Sequence, residues 1–225
     1  MSLQLRSNDP LYDQKCNYWR GDGSLPGRRV RVSVCENENS RILFSLLRII
    51  EADVEDFDRL TVTAGFSNQG IGTGRAGSRP YRSIQDAQVP ISVRNEIRAM
   101  RLLKSICEDL LAGYPNSYED DCLRLADDSS PRSLAPFSNE RHALIQVKGE
   151  KEVLLFYKDF SRTAIRLLEL KDDSSFNAEV AAVWPLKHVV VQQYLSNSLC
   201  RLRQDDKQRA ELRQRNVDFS RPTVV

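Results

Sequence analysis

VPISVRNEIRAMRLLKSICEDLLAGYPNSYEDDCLRL, residues Val89–Leu125, carries the longest uninterrupted helical pattern in the chain. Val93, Ile97, Met100, Leu103, Ile106, Cys107, Leu110 and Leu111 recur at spacings of three and four, which puts them on one face of a helix. Pro90 biases the residue before it to extended backbone, and Ser92 is the candidate N-cap. Glu96 falls in the first turn, where the helix dipole favours a carboxylate. Gly113 suits the position just past the helix end, and Pro115 follows it. Asn116 or Ser117 then caps a short acidic helix, YEDDCLRLA. The apolar face reads as core.

Upstream, Asp9–Asn17 (DPLYDQKCN) reads as a short helix, with Asp9 as N-cap, Pro10 in the first turn, and Leu11 and Tyr12 available for docking. Gly21–Gly27 is a loop. Arg28–Cys35 (RRVRVSVC) alternates basic or polar residues with Val30, Val32 and Val34, the period of a half-buried strand. Asn39 or Ser40 caps a helix over Arg41–Glu51 that is apolar on most of its circumference. Asp53–Leu60 reads as a short acidic helix whose carboxylates face solvent or the helix dipole.

Gly65–Gln88 is Gly-rich and contains arginines. Gly72, Gly74 and Gly77 spell GxGxxG, but Pro80 and Pro90 prevent the long helix that a dinucleotide site needs, and no second parallel strand follows on schedule. The stretch is expected to be an insertion rather than a nucleotide site.

Downstream, Asp127–Pro136 is a polar linker. Ser138 opens a second long helical pattern, in which Gly149 marks a candidate break. His142 has no Cys or His near it and reads as an ordinary helix residue. Phe176–Trp184 and His188–Leu202 read as helices separated by Pro185, and Arg201–Arg215 as a solvated helix end or disordered tail.

Composition narrows the function classes. The chain has 225 residues, room for one or two domains with a real core. A net charge of +2 argues against nucleic acid as the required partner. No apolar run approaches the roughly 18 residues of a membrane span, and MSLQLRSNDP has no apolar signal region. The expected location is intracellular, with cytoplasm, nucleus and plastid not distinguished. The five cysteines form no CxxC pair, so reduced thiols and no metal site are expected, with Cys107 in the core. No paired carboxylates with a base, Ser-His-Asp set or P-loop has usable spacing.

Three segments, in order, resemble the C-terminal substrate-binding domain of the SET-domain methyltransferases named after the Rubisco large-subunit lysine methyltransferase. In that family P-(V/L)-S…NE precedes a long helix, followed by L…Y…T-(I/L)-E-(E/Q)-D. Here those positions are Pro90, Ser92, Asn95 and Glu96, then Leu111, Tyr114, Tyr118, Glu119, Asp120 and Asp121, with Ser117 in place of the threonine. Asp9–Lys15 (DPLYDQK) is similar to the segment that follows the SET domain. Asn139–Leu154 (NERHALIQVKGEKEVL) is similar to the helix ending in GEK, here Gly149, Glu150 and Lys151.

The resemblance spans roughly Asn8–Leu170. It implies a mainly α, multi-helix orthogonal bundle with at most a short strand near the N-terminus. Residues 1–27 would be a lead-in helix and loop, and 28–170 the substrate-binding domain with an insertion at 65–88. Residues 171–225 would be a helical or partly disordered extension.

The family's cofactor motif and catalytic tyrosine lie in the SET domain, upstream of the segment matched by Asp9. This chain has no Asn-His dipeptide, and Tyr12 and Tyr18 do not inherit the catalytic role. No catalytic, cofactor or metal residue is assigned, and S-adenosyl-L-methionine is expected only where a SET domain is attached. The chain is expected to be a truncated gene product or a free-standing lobe. Methyl transfer needs a bound sulfonium and a water-excluding channel for the amine, which a helical lobe does not supply alone. The implied function is substrate recognition for a SET-type protein-lysine N-methyltransferase, with histidine as an alternative target. The implied partners are a protein substrate or a SET domain. A non-enzymatic helical protein-interaction module is the alternative.

Overall fold

The computed structural model describes residues 7–20, 38–67, 87, 89–127, 135, 137–170, 172–183, 191–192 and 194–219. Among them are the helices α1 (Tyr12–Arg20), α2 (Glu38–Ile50), α3 (Val54–Ser67), α4 (Val93–Ala112), α5 (Tyr118–Ala126), α6 (Asn139–Glu169), α7 (Asp173–Val183) and α8 (Cys200–Phe219). A π-helical turn, Tyr194–Leu199, leads into α8, and no strand occurs among the described residues. The protein is mainly α. The strand expected at Arg28–Cys35 and the GxGxxG glycines Gly72, Gly74 and Gly77 lie outside the described residues.

The chain divides into two compact units, residues 1–99 with 164–225, and residues 100–163. In the first, α2 is buried around most of its circumference: Leu43, Leu46, Leu47 and Ile49 are at most 1% exposed. Burying each such side chain contributes about 1.5–3 kcal/mol. The helix starts at Glu38, ahead of the expected Asn39 or Ser40 cap. Helix α1 starts at Tyr12, with Asp9 accepting from the Leu11 N–H at 2.8 Å. Lys15 is buried and donates to Asp9 at 2.5 Å and to the Ile50 carbonyl at 2.6 Å. One lysine thus ties α1 to the carbonyl end of α2, where a cation is favoured.

Helix α3 differs from its sequence reading in two ways. It runs to Ser67 instead of ending at Leu60, so Gly65 to Ser67 continue the helix rather than open the Gly-rich loop. Asp53 and Asp56 cap its first turn reciprocally, each carboxylate accepting from the other's backbone N–H at 3.1 and 3.2 Å. Asp56 is buried, not solvated. At the C-terminal end, the helix expected at Phe176–Trp184 is α7, and Phe176 is buried.

In the second unit, Leu103 and Cys107 of α4 and Leu144, Tyr157 and Phe160 of α6 are buried. The rings of Phe156, Tyr157 and Phe160 meet edge-on or stacked. Burial pushes the Cys107 thiol up to about 11, as for an inert core residue. Helix α4 closes with a tightened turn, the Gly113 N–H on the Leu110 carbonyl at 3.2 Å. Ser117 forms a full capping box with Asp120 at the start of α5, and the Ser138 hydroxyl accepts from the Arg141 N–H at the start of α6.

Gly149 does not break α6, which runs 31 residues without interruption. A Cβ at Gly149 would meet nothing within 4 Å. Gly149→Ala should therefore stabilise the chain by about 0.5–1 kcal/mol, seen as a higher urea midpoint with an unchanged slope.

Candidate functional site

Two family-motif residues of the first unit, Asn95 and Glu96, meet at Arg48. Glu96 is fully buried, and Arg48 grips its carboxylate bidentately, Nε to Oε2 at 2.6 Å and Nη2 to Oε1 at 2.8 Å. Nη1 of Arg48 donates to the Ala87 carbonyl at 3.0 Å, and the Tyr194 hydroxyl donates to Oε1 of Glu96 at 2.6 Å. Asn95 Nδ2 donates to the Arg48 carbonyl at 3.0 Å. The Phe44 ring lies 5.9 Å from the guanidinium and 5.8 Å from the Tyr194 ring. Burial opposes the Arg48 charge, but the Glu96 carboxylate outweighs it and raises the guanidinium pKa. Burial, then Glu96, pushes the Tyr194 phenol well above its ordinary value.

A second layer holds the start of α4. The Ser92 hydroxyl accepts from the Asn95 N–H at 3.0 Å, as an N-cap should, and donates to Asp56 at 2.8 Å. Arg98 spans Asp53 and Asp56 at 2.9 and 2.5 Å. Burial raises the Asp53 pKa, but the Asp56 N–H and Arg98 together bring it below the usual value. Asp206 of α8 accepts from the Val93 N–H and from Arg59, both at 3.0 Å. Arg203 donates to the Leu170 carbonyl at 2.5 Å, lies 4.4 Å from the Phe176 ring, and pairs with Asp173. Arg201–Leu212 is helical and mostly exposed, as a solvated helix end would be, with Leu202 buried and Arg203 and Asp206 half-buried. Pro90 is buried ahead of this layer.

The motif residues of the second unit form a separate cluster. Lys151 and Asp121 are almost fully buried and 2.5 Å apart. Lys151 also donates to the carbonyls of Asn116 and Ser117 at 2.7 and 3.3 Å, and lies 5.0 Å from the Tyr114 ring. The Tyr114 hydroxyl donates to Glu150 at 2.9 Å. Burial, then Glu150, raises the Tyr114 pKa. The Tyr118 hydroxyl donates to Glu152 at 2.7 Å, and Lys148 reaches the same oxygen at 2.6 Å. Glu119 and His142 are exposed.

Sequence reading missed Arg48, Tyr194, Asp206 and Glu152. Arg48 had a signal, since an arginine inside a helix apolar on nearly every side needs a buried partner. Among the described residues, no group of three or more His, Cys, Asp or Glu side chains is placed to share a metal ion, and no helix is long and apolar enough to cross a membrane.

A family model described as Rubisco LSMT substrate-binding matches residues 6–154. The chain belongs to the Rubisco LSMT substrate-binding family. None of the curated proteins compared with the chain matches it. In this Rubisco LSMT substrate-binding chain the match ends within α6, while Tyr194, Arg203 and Asp206, which hold the start of α4 and the end of α6, come later in the sequence.

Glu96→Gln should cost about 3–5 kcal/mol of stability, because it leaves the buried Arg48 charge uncompensated. Tyr194→Phe should cost about 1.5–3 kcal/mol, the value of one hydrogen bond to a charged group. Chemical denaturation of both variants checks the ranking. Tyr118 gives a pH test, since the Glu152 hydrogen bond first, and Cys122 next, push its phenol up to about 12. A raised phenol favours the protonated form in the folded chain. Its stabilising contribution is complete below the free-tyrosine value and is lost as pH rises to about 12. Absorbance titration at alkaline pH should show one fewer late-titrating phenol in Tyr118→Phe.

Proposed function

We propose that the chain is the substrate-recognition lobe of a SET-type protein-lysine N-methyltransferase, with methyl transfer carried out on an attached or partnering SET domain. The family membership gives the substrate-binding role, and the fate of the motif residues supports the division of labour. Ser92, Asn95, Glu96, Asp121 and Lys151 are buried and direct polar groups at partners within the chain. Such groups hold a framework in place. They do not reach a reacting atom, as an acid, base or nucleophile must.

The same observation bears on the cofactor. S-adenosyl-L-methionine carries a sulfonium and a carboxylate, and the buried motif residues already spend their charge on each other. These residues do not fit the cofactor, and the SET domain is the proposed holder of it. The surface left for recognition includes Tyr114, Tyr118, Glu119 and Glu150, set on helices whose buried sides are pinned by the Lys151–Asp121 pair. Rigid presentation of this kind lowers the ordering cost of binding a protein.

The test is an AdoMet-dependent methylation assay and calorimetry with the cofactor. The chain alone should transfer no methyl group and bind no AdoMet, and the chain joined to a SET domain should methylate a protein lysine. Transfer by the chain alone would refute the proposal. Stable protein partners with no methylation by the joined form would favour the non-enzymatic interaction module.

A further inference from the structure

The second unit contains the same chemical arrangement twice, once sealed and once open. In each, a tyrosine hydroxyl donates to a carboxylate and a lysine ammonium lies over the ring. In the sealed copy, Lys151 is 2% exposed and held over Tyr114 by Asp121 and two backbone carbonyls, so no other cation replaces it. In the open copy, Lys148 lies 5.3 Å from the Tyr118 ring and contacts Glu152, with 28% and 46% of the two side chains exposed. The Glu152 hydrogen bond raises the Lys148 pKa above the ordinary lysine value. An exposed ion pair one helical turn apart is weak and exchanges readily.

We propose that Tyr118 and Glu152 form a docking subsite for a lysine ammonium of the protein substrate, filled by Lys148 in the free chain. This rests on the substrate-lobe reading and names a second lysine, distinct from the one methylated. A tyrosine face beside a carboxylate attracts a compact cation from two sides. Oε1 of Glu152 already accepts from the Tyr118 hydroxyl. That disfavours the two-oxygen fork an arginine prefers and suits the point charge of an ammonium. Incoming substrate would displace Lys148, which keeps the pair covered until a protein cation arrives.

The test uses the full chain and N-acetyl-lysine methylamide as probe, with N-acetyl-norleucine methylamide as the uncharged control. The readout is the Tyr118 ring signals by NMR, assigned from Tyr118→Phe. The lysine probe should shift these signals saturably and the control should not. Lys148→Met removes a tethered competitor and should tighten binding about threefold or more, while Glu152→Gln should abolish it. All three side chains are on the surface, and circular dichroism verifies that each variant is folded. No response in either the parent chain or Lys148→Met overturns the proposal, as does binding unchanged by Glu152→Gln. Because no methyl transfer is measured, failure here leaves the substrate-lobe reading standing, and failure of the methylation test leaves this binding result intact.

Discussion

The buried Arg48–Glu96 pair is the constraint around which the first unit is arranged. Taking each ion out of water costs several kcal/mol even after relaxation. The cost is met only when every donor and acceptor finds a partner at good geometry. Glu96 accepts three hydrogen bonds, two from Arg48 and one from Tyr194, and Arg48 spends its third nitrogen on the Ala87 carbonyl. These requirements fix the register of α2 against the start of α4 and bring in residue 194 from far along the chain. Apolar burial along α2 supplies the larger energy, but it tolerates a rotated or shifted helix. The bidentate pair does not.

The second unit repeats the device with Lys151 and Asp121. Here the ammonium also caps the carbonyls of Asn116 and Ser117, just before α5. The turn between α4 and α5 is thus attached to the middle of α6 by one side chain. A glycine at 149, two residues before that lysine, does not interrupt the helix. Its conformational cost is small beside the hydrogen bonds of a 31-residue helix and the burial on either side of it.

The helices α4, α5 and α6 were legible because their apolar spacing, caps and stops agree with one another. Ser92 and Ser117 cap as read, and Cys107 is core. What periodicity did not reveal is that polar residues belong to the buried stripe. Glu96, Met100, Leu103 and Cys107 follow one another at intervals of four, three and four, and all four are buried. A first-turn glutamate satisfies the dipole rule equally well on an exposed face, so the local reading stopped there. The same applies to Asp56, whose burial is set by Ser92 and Arg98, 36 and 42 positions away. Tyr194 and Asp206 had no local signal, since their roles are defined by partners on other helices. The family resemblance named the motif residues, but it did not say that the buried ones among them fall into two separate clusters.

On the proposed function, the buried motif residues of this substrate-binding family serve as framework. On that proposal they set the shape of a lobe, and recognition falls to the half-buried tyrosines and exposed carboxylates. The most direct measurement is steady-state methylation by a SET domain with and without this chain joined to it, on a folded substrate and on a short peptide containing the same target lysine. Recognition without chemistry predicts that removing the chain raises KM for the folded substrate by at least about tenfold, while kcat on the peptide is unchanged. A fall in kcat on both substrates with KM unaltered would contradict it.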